Sequence, residues 1–270
     1  MSSLENRIVL ITGASSGIGL ATARMFAEEG AIVVLAARNQ ERLSAVTKEF
    51  ESKGYHFLAK RCDVRNLKEV DSLVQDTVSQ FGKIDILVNN AGTALYGLVE
   101  ETPDEALQDN LEVNLLGTLR CIRAVIPGMR KQKWGRIINI GSVVGKRGWA
   151  FHGAYAASKF ALTGLTQSLQ AELANSGITA TLIMPASTKT NFFSSATIVS
   201  DGYEPTMLGP VQSAEVVAKY IIKSAKQPKE NVYTIWWMKW SFILAEMVPW
   251  LYSTASKQFF RRKNKQNQVK

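Results

Sequence analysis

Apolar residues in this chain gather into short runs rich in Val and Ile, separated by longer stretches where apolar and charged positions recur at three- and four-residue spacing. The runs are too continuous for half-exposed strands and predict strands buried on both faces, while the spaced stretches predict amphipathic helices. Strands are expected near Ile8 to Ile11, Ile32 to Leu35, Phe57 to Arg61, Ile84 to Val88, Arg136 to Ile140, Ile178 to Ile183 and Asn231 to Ile235, with helices in the intervals. Strict alternation of strand and helix implies βαβ units. The expected fold is therefore α/β, one doubly wound (Rossmann-type) parallel sheet of seven strands with helices on both faces.

No repeat and no Pro/Gly/Ser-rich linker breaks the body, so a single domain is expected over 1–235, followed by an extension over 236–270. The least regular stretch runs from Ala186 to Gly209, mixing Thr, Ser, Gly and Pro with Phe192, Phe193, Tyr203 and Met207. A loop of that composition after a strand reads as a mobile lid.

Composition changes this picture little: 46% apolar and 20% charged residues are ordinary for a globular protein. The net charge of +9 would point to nucleic acid if it were spread over the body. Instead Lys257, Arg261, Arg262, Lys263, Lys265 and Lys270 crowd the C-terminus with no acid among them. The body is then nearly balanced, and no nucleic-acid partner is expected. Cys62 and Cys121 lie far apart and show neither metal-like spacing nor a disulfide framework, so no metal is expected and a reducing cytosol fits. Met1 to Asn6 lacks the basic and apolar segments of a secretory signal, so a cytoplasmic location is expected.

The first strand runs straight into Thr12-Gly13-Ala14-Ser15-Ser16-Gly17-Ile18-Gly19, with a helical pattern from Leu20. This is the context of a dinucleotide-binding loop. Gly13 permits the turn, Gly17 lets backbone approach a pyrophosphate, and Gly19 lets helix pack on strand, while the helix N-terminus offers N–H groups to the anion. At the end of the second strand an acid would favour NAD through the ribose hydroxyl, but Arg38 stands there and favours the 2′-phosphate of NADP(H). A solvated surface arginine is the plain alternative.

Tyr155 and Lys159 are one helical turn apart and share one face of a helix expected to run to Leu173. A neighbouring ammonium is expected to lower the phenol's pKa toward the range of a general acid/base. Packing of the ring beside a solvated lysine is the alternative. Ser142 follows a strand, so its hydroxyl is expected in the crevice outside the carboxyl ends of the sheet, and Asn89-Asn90-Ala91-Gly92 also follows a strand as a small-residue turn.

Taken together, Thr12 to Gly19, Asn89 to Gly92, Ser142, Tyr155 and Lys159 resemble the short-chain dehydrogenase/reductase family over Arg7 to about Ile235. The resemblance implies an NADP(H)-dependent oxidoreductase transferring hydride between the nicotinamide and a carbonyl or secondary alcohol. It implies Tyr155 as acid/base, Ser142 orienting the reacting oxygen, Lys159 binding the nicotinamide ribose, and Asn114 supporting a proton relay through the lysine. By the same resemblance Gly13, Ser15, Ser16, Gly17, Ile18, Gly19, Asp63, Val64, Asn90, Ala91, Gly92, Pro185, Thr188 and Thr190 contact the cofactor. Pro185-Ala186 departs from the family's Pro-Gly and is expected to shift the loop if a left-handed φ is required there. A small-molecule substrate is implied, and a homodimer or homotetramer.

Four of the six tryptophans follow the last strand: Trp236, Trp237, Trp240 and Trp250. Lys239, Glu246 and Pro249 break the apolar stretch, which argues against a spanning helix and leaves two readings, a peripheral membrane anchor or packing against protein. With Phe192, Phe193 and Met207, this tail inclines the substrate toward a lipophilic ketone, with a 3-oxoacyl thioester as rival. A silent NADP-binding sensor or scaffold is the non-enzymatic alternative, opposed by the intact Asn114, Ser142, Tyr155 and Lys159.

Overall fold

A computed structural model describes residues 3–205, 207, 209–250, 253, 254, 257, 258, 260 and 261. Seven parallel strands form one sheet: β1 (Ile8–Thr12), β2 (Ile32–Ala37), β3 (Phe57–Arg61), β4 (Ile86–Asn89), β5 (Gly135–Ile140), β6 (Ile178–Met184) and β7 (Asn231–Tyr233). Their spatial order is β7-β6-β5-β4-β1-β2-β3. The helices are α1 (Gly17–Glu28), α2 (Gln40–Ser52), α3 (Leu67–Phe81), α4 (Asp104–Leu111), α5 (Thr118–Lys131), α6 (Gly153–Glu172), α7 (Ala214–Lys226) and α8 (Trp236–Met247).

The period of two within each apolar run builds two cores. Val9, Ile11, Val33, Leu35 and Val88 face the layer of α1, α2 and α7, whereas Ile8, Leu10, Val34, Ala36 and Leu87 face α3, α5 and α6. Each fully buried aliphatic side chain contributes about 1.5–3 kcal/mol, so burial on both faces is what makes the sheet the spine of the protein. Asn side chains start two of the helices: Asn39 accepts from the amide of Arg42, and Asn66 from those of Lys68 and Glu69.

Two boundaries differ from the sequence pattern. The fourth strand begins at Ile86 rather than Ile84. Asp85 is buried there, its carboxylate accepting from the Ile8 amide at 3.0 Å and pairing with Arg7 and Lys83. The last strand ends at Tyr233 because α8 begins at Trp236.

The Ala186–Gly209 stretch is more ordered than a free loop. Thr188–Lys189 pairs in parallel with Gln212–Ser213, and Thr197–Ile198 with Leu95–Tyr96. Ser200 Oγ accepts from the Leu98 amide at 2.7 Å, closing the segment over the sheet edge. Of that stretch, Thr206 and Leu208 lie outside the described residues.

Candidate active site

The strand order reverses between β1 and β4, and at such a switch point two loops diverge and leave a crevice. The loops after β1 and β4 are bolted together there. Asn90 Nδ2 donates to the carbonyls of Thr12 and Gly13 at 3.0 and 3.2 Å, and the amides of Asn90 and Ala91 donate to Thr12 Oγ1 at 3.1 and 3.0 Å. Gly13 and Gly17 both take left-handed φ, +66° and +53°. Gly19 lies directly behind: a Cβ there would stand 2.2 Å from the Gly13 carbonyl oxygen and 2.4 Å from Asn90 Nδ2.

A cavity of about 880 Å³ opens at this crevice. Gly13, Ser15, Ser16, Gly17, Ile18, Arg38, Asp63, Val64, Asn90, Ala91, Gly92, Pro185, Thr188 and Thr190 all line it, together with Ser142, Tyr155 and Lys159. Of the residues expected to act on cofactor or substrate, two do not: Gly19 packs behind the loop, and Asn114 is wholly buried.

One wall of the cavity is the start of α1. Ser16 is its N-cap and makes no side-chain capping bond, and no acid stands in the first turn, so the terminal N–H groups and the positive end of the helix dipole are available to an anion. After β2, Arg38 is exposed and makes no ion pair among the described residues, and Arg42, in the first turn of α2, is also exposed and lines the cavity. Asp63 is committed differently. Both its oxygens accept from Arg65, and although burial opposes it, those bonds hold its carboxyl below the ordinary range.

The opposite wall is α6. Tyr155 and Lys159 are buried on one face of it, and Ser142 starts the 3₁₀ turn after β5. Lys159 Nζ donates to the Ile140 carbonyl at 2.9 Å and stands 5.8 Å from the centroid of the Tyr155 ring. Burial pushes the Lys159 ammonium down to about 8. It also raises the Tyr155 phenol above its ordinary value, opposed only by a hydrogen bond with Ser142. The expected lowering by Lys159 is therefore not what the site shows: loss of hydration raises the phenol, and the opposing influence is Ser142 rather than the lysine.

Asn114 sits in a π-helical turn, Glu112–Gly117, between α4 and α5. Such a turn inserts one residue into the helix and re-aims its side chains. Asn114 Nδ2 donates to the Thr93 carbonyl, Asn110 Oδ1 and Ser158 Oγ at 2.9, 3.2 and 2.9 Å, while Oδ1 accepts from the Thr93 amide at 2.9 Å. Ser158 Oγ in turn donates to the Tyr155 carbonyl at 2.8 Å. Gly92 fits between this network and the lysine, since a Cβ there would meet Asn114 Oδ1 at 3.0 Å and Lys159 Nζ at 3.8 Å. Asn114 thus fixes the backbone on both sides of the cavity without reaching into it.

Ala186 takes no left-handed φ, so alanine in place of glycine leaves that turn unstrained. Several wall residues have no local signature in the sequence. Tyr96, Trp149 and His152 join Phe192 and Phe193 around Tyr155, with the Tyr155 and Phe192 rings 5.8 Å apart. Tyr96 stacks edge-on against His152 at 4.8 Å. Phe151 holds a left-handed φ of 65°, rare for a bulky residue, and stacks on Tyr203 at 4.4 Å. Arg42 alone carries a sequence signal, as a second arginine close after Arg38, which follows β2.

The sequence profile of short chain dehydrogenases matches residues 7–198. The 3-oxoacyl-(acyl-carrier-protein) reductase FabG of Staphylococcus epidermidis is 38% identical over 181 residues, 67% of this chain and 74% of that protein. A short chain dehydrogenase/reductase from Burkholderia phymatum, solved in complex with NAD, superposes with a TM-score of 0.84 at 26% identity, covering 93% of this chain and 97% of that one. A variant of actinorhodin polyketide ketoreductase, solved with NADPH, superposes with a TM-score of 0.76 at 32% identity, covering 86% and 97%. With the switch-point crevice, the glycine loop and the buried Tyr155–Lys159 pair in one cavity, the chain belongs to the short-chain dehydrogenase/reductase family of oxidoreductases.

Proposed function

We propose that this protein is an NADP(H)-dependent carbonyl reductase in which Tyr155 is the general acid/base. The observation that carries the reading is the meeting of Ser142, Tyr155 and Lys159 on one cavity wall, opposite the uncapped N-terminus of α1. Bound nicotinamide would supply or accept the hydride.

The residues around the cavity fit a dinucleotide. The N-terminal amides of α1 suit its pyrophosphate, and Gly17 leaves room at Thr190, whose atoms a Cβ would meet at 3.2 Å. Arg38 and Arg42 line the cavity and form no salt bridge among the described residues, which favours a 2′-phosphate over a bare ribose hydroxyl. Lys159, fixed by Ile140, suits the nicotinamide ribose.

The burial that keeps Tyr155 protonated makes it a proton donor at neutral pH. Its proton passes to the oxygen of the carbonyl as that oxygen gains negative charge, and the Ser142 hydroxyl holds the same oxygen in place. Asn114 acts through Ser158 and Thr93 as a positioning residue. Aromatic walls at Tyr96, Trp149, Phe192 and Phe193 favour a lipophilic ketone. The second reading, a 3-oxoacyl thioester, is favoured by the FabG relative.

The test is oxidation of NADPH, with NADH in parallel, over simple ketones, aryl ketones and acetoacetyl thioesters. Turnover of an aryl ketone with NADPH well above NADH supports the reading. Turnover confined to thioesters selects the rival, and binding without turnover of any carbonyl selects a sensor.

A further inference from the structure

Helix α8 is apolar on two opposite faces. Trp237, Met238, Ser241, Phe242 and Ala245, at helical spacing, line the catalytic cavity. Arg147 donates to the Ala245 carbonyl at 2.7 Å, and the Tyr233 and Phe242 rings lie 6.1 Å apart, so this face is docked on the body. At about 100° per residue, Trp236, Trp240, Ile243, Leu244 and Met247 fall on the far side as one stripe. All five are exposed, Trp236 to 74%, Trp240 to 60% and Met247 to 75%, and Trp250 continues the patch at 66%. The two charged residues of the helix, Lys239 and Glu246, lie at the flank of this stripe rather than within it.

Two further observations say what fits this face. The chain ends in six cations with no acid among them. Phe260 packs 5.8 Å from Phe151, which holds the start of that basic segment, including exposed Arg261, beside the aromatic wall of the cavity. Tryptophans flanked by cations match a lipid surface of negative charge, where indole rings settle at headgroup depth and lysines and arginines meet anionic headgroups. No helix among the described residues is long and apolar enough to cross a membrane.

We propose that the outer face of α8, with the basic terminus, docks on an anionic lipid surface, so that the cavity on the inner face of the same helix opens at the membrane boundary and takes carbonyl compounds that partition into lipid. The docking stands on the outer face of α8 and the cations of the C-terminal segment; the choice of substrate also rests on the reductase reading above.

The experiment uses the full chain with vesicles of phosphatidylcholine alone or with about a third phosphatidylglycerol. Flotation with the anionic vesicles only, weakening as salt rises, is expected, as is quenching of tryptophan fluorescence by brominated lipid. The triple variant Trp236→Ser, Trp240→Ser, Met247→Ser is expected to bind roughly tenfold more weakly while turnover of water-soluble 2-butanone stays unchanged. For 2-dodecanone, anionic vesicles should raise the wild-type rate and leave the variant's rate unaltered. Equal flotation with both vesicles, absence of quenching, or a variant that merely converts a dimer to monomer would overturn the docking. If neither ketone nor an acetoacetyl thioester is reduced while flotation persists, the reductase reading fails and the docking stands.

Discussion

The Lys159 ammonium donates to the Ile140 carbonyl across 2.9 Å, tying α6 to the carboxyl end of β5. The ring of Tyr155, one turn earlier on the same helix, is thereby fixed relative to the sheet, and both groups lose most of their hydration. Their protonation follows from that burial.

Burial sets a pH signature for Lys159. Its folded value of about 8 lies below the ordinary 10.5, so between those values the unfolded chain binds more protons and stability rises with pH. Tyr155 is shifted upward and opposes this, but only above its ordinary value of 10.0. Relative to Lys159→Met, the wild type should gain about 2 kcal/mol of unfolding free energy between roughly pH 8 and pH 10. Urea titrations across that window measure it, and a constant difference would contradict the buried-ammonium account.

Replacing Tyr155 by Phe removes the transferable proton and leaves the ring packing on Phe192 intact. Turnover should fall at least about 10²–10⁴-fold with NADPH affinity nearly unchanged, as measured by steady-state kinetics and fluorescence titration. In the wild type, the raised phenol pKa keeps the acid form across neutral pH. Ketone reduction should therefore be flat between about pH 6 and 8, while alcohol oxidation, which needs the phenolate, climbs roughly tenfold per unit.

Arg38 and Arg42 are proposed to share the binding of a 2′-phosphate. If each donates to a 2′-phosphate, replacing either by Ala should weaken NADPH by about 1.5–3 kcal/mol, roughly 10- to 150-fold, and leave NADH within about threefold. Comparison of KM for the two cofactors decides this, and equal losses for both would reassign the arginines to general electrostatics.

Gly19→Ala puts a methyl group against backbone and the Asn90 amide, neither of which has room to yield. A loss of at least about 1–3 kcal/mol is expected, with weakened NADPH binding, because the Asn90 bolt between the β1 and β4 loops must shift. Gly164→Ala is the matched control. It lies within α6 with nothing within 4 Å of the added carbon and should stabilise by about 1 kcal/mol. Thermal melts of the two variants separate a crowding effect from a helix-propensity effect.

Much of the cavity could be read from the chain because its residues stand at strand ends, where local pattern and position in the fold coincide. Gly13, Asn90 and Ser142 are of this kind. Asn114 was legible only through family resemblance, since its π-turn and its bonds to Thr93 and Ser158 have no local signature. The raised Tyr155 pKa has no sequence signal, because the spacing to Lys159 is visible in the chain and the depth of burial is not. Tyr96 and His152 have no such signal: the pairing of Leu95–Tyr96 with Thr197–Ile198 places the first, and a bridge from Gly97 places the second.

The sequence by itself determined the order of strands and helices, the two-sided burial of the sheet and the glycine loop, because these follow from periodicities of two and 3.6 residues and from the conformational freedom of glycine. Only the tertiary structure decided which groups share a dielectric environment and which face of α8 meets the cavity. Those depend on contacts such as Asn90 with Thr12, 78 residues apart, and on packing that excludes water from Tyr155 and Lys159. Local spacing cannot encode such contacts, since they form only when the sheet closes.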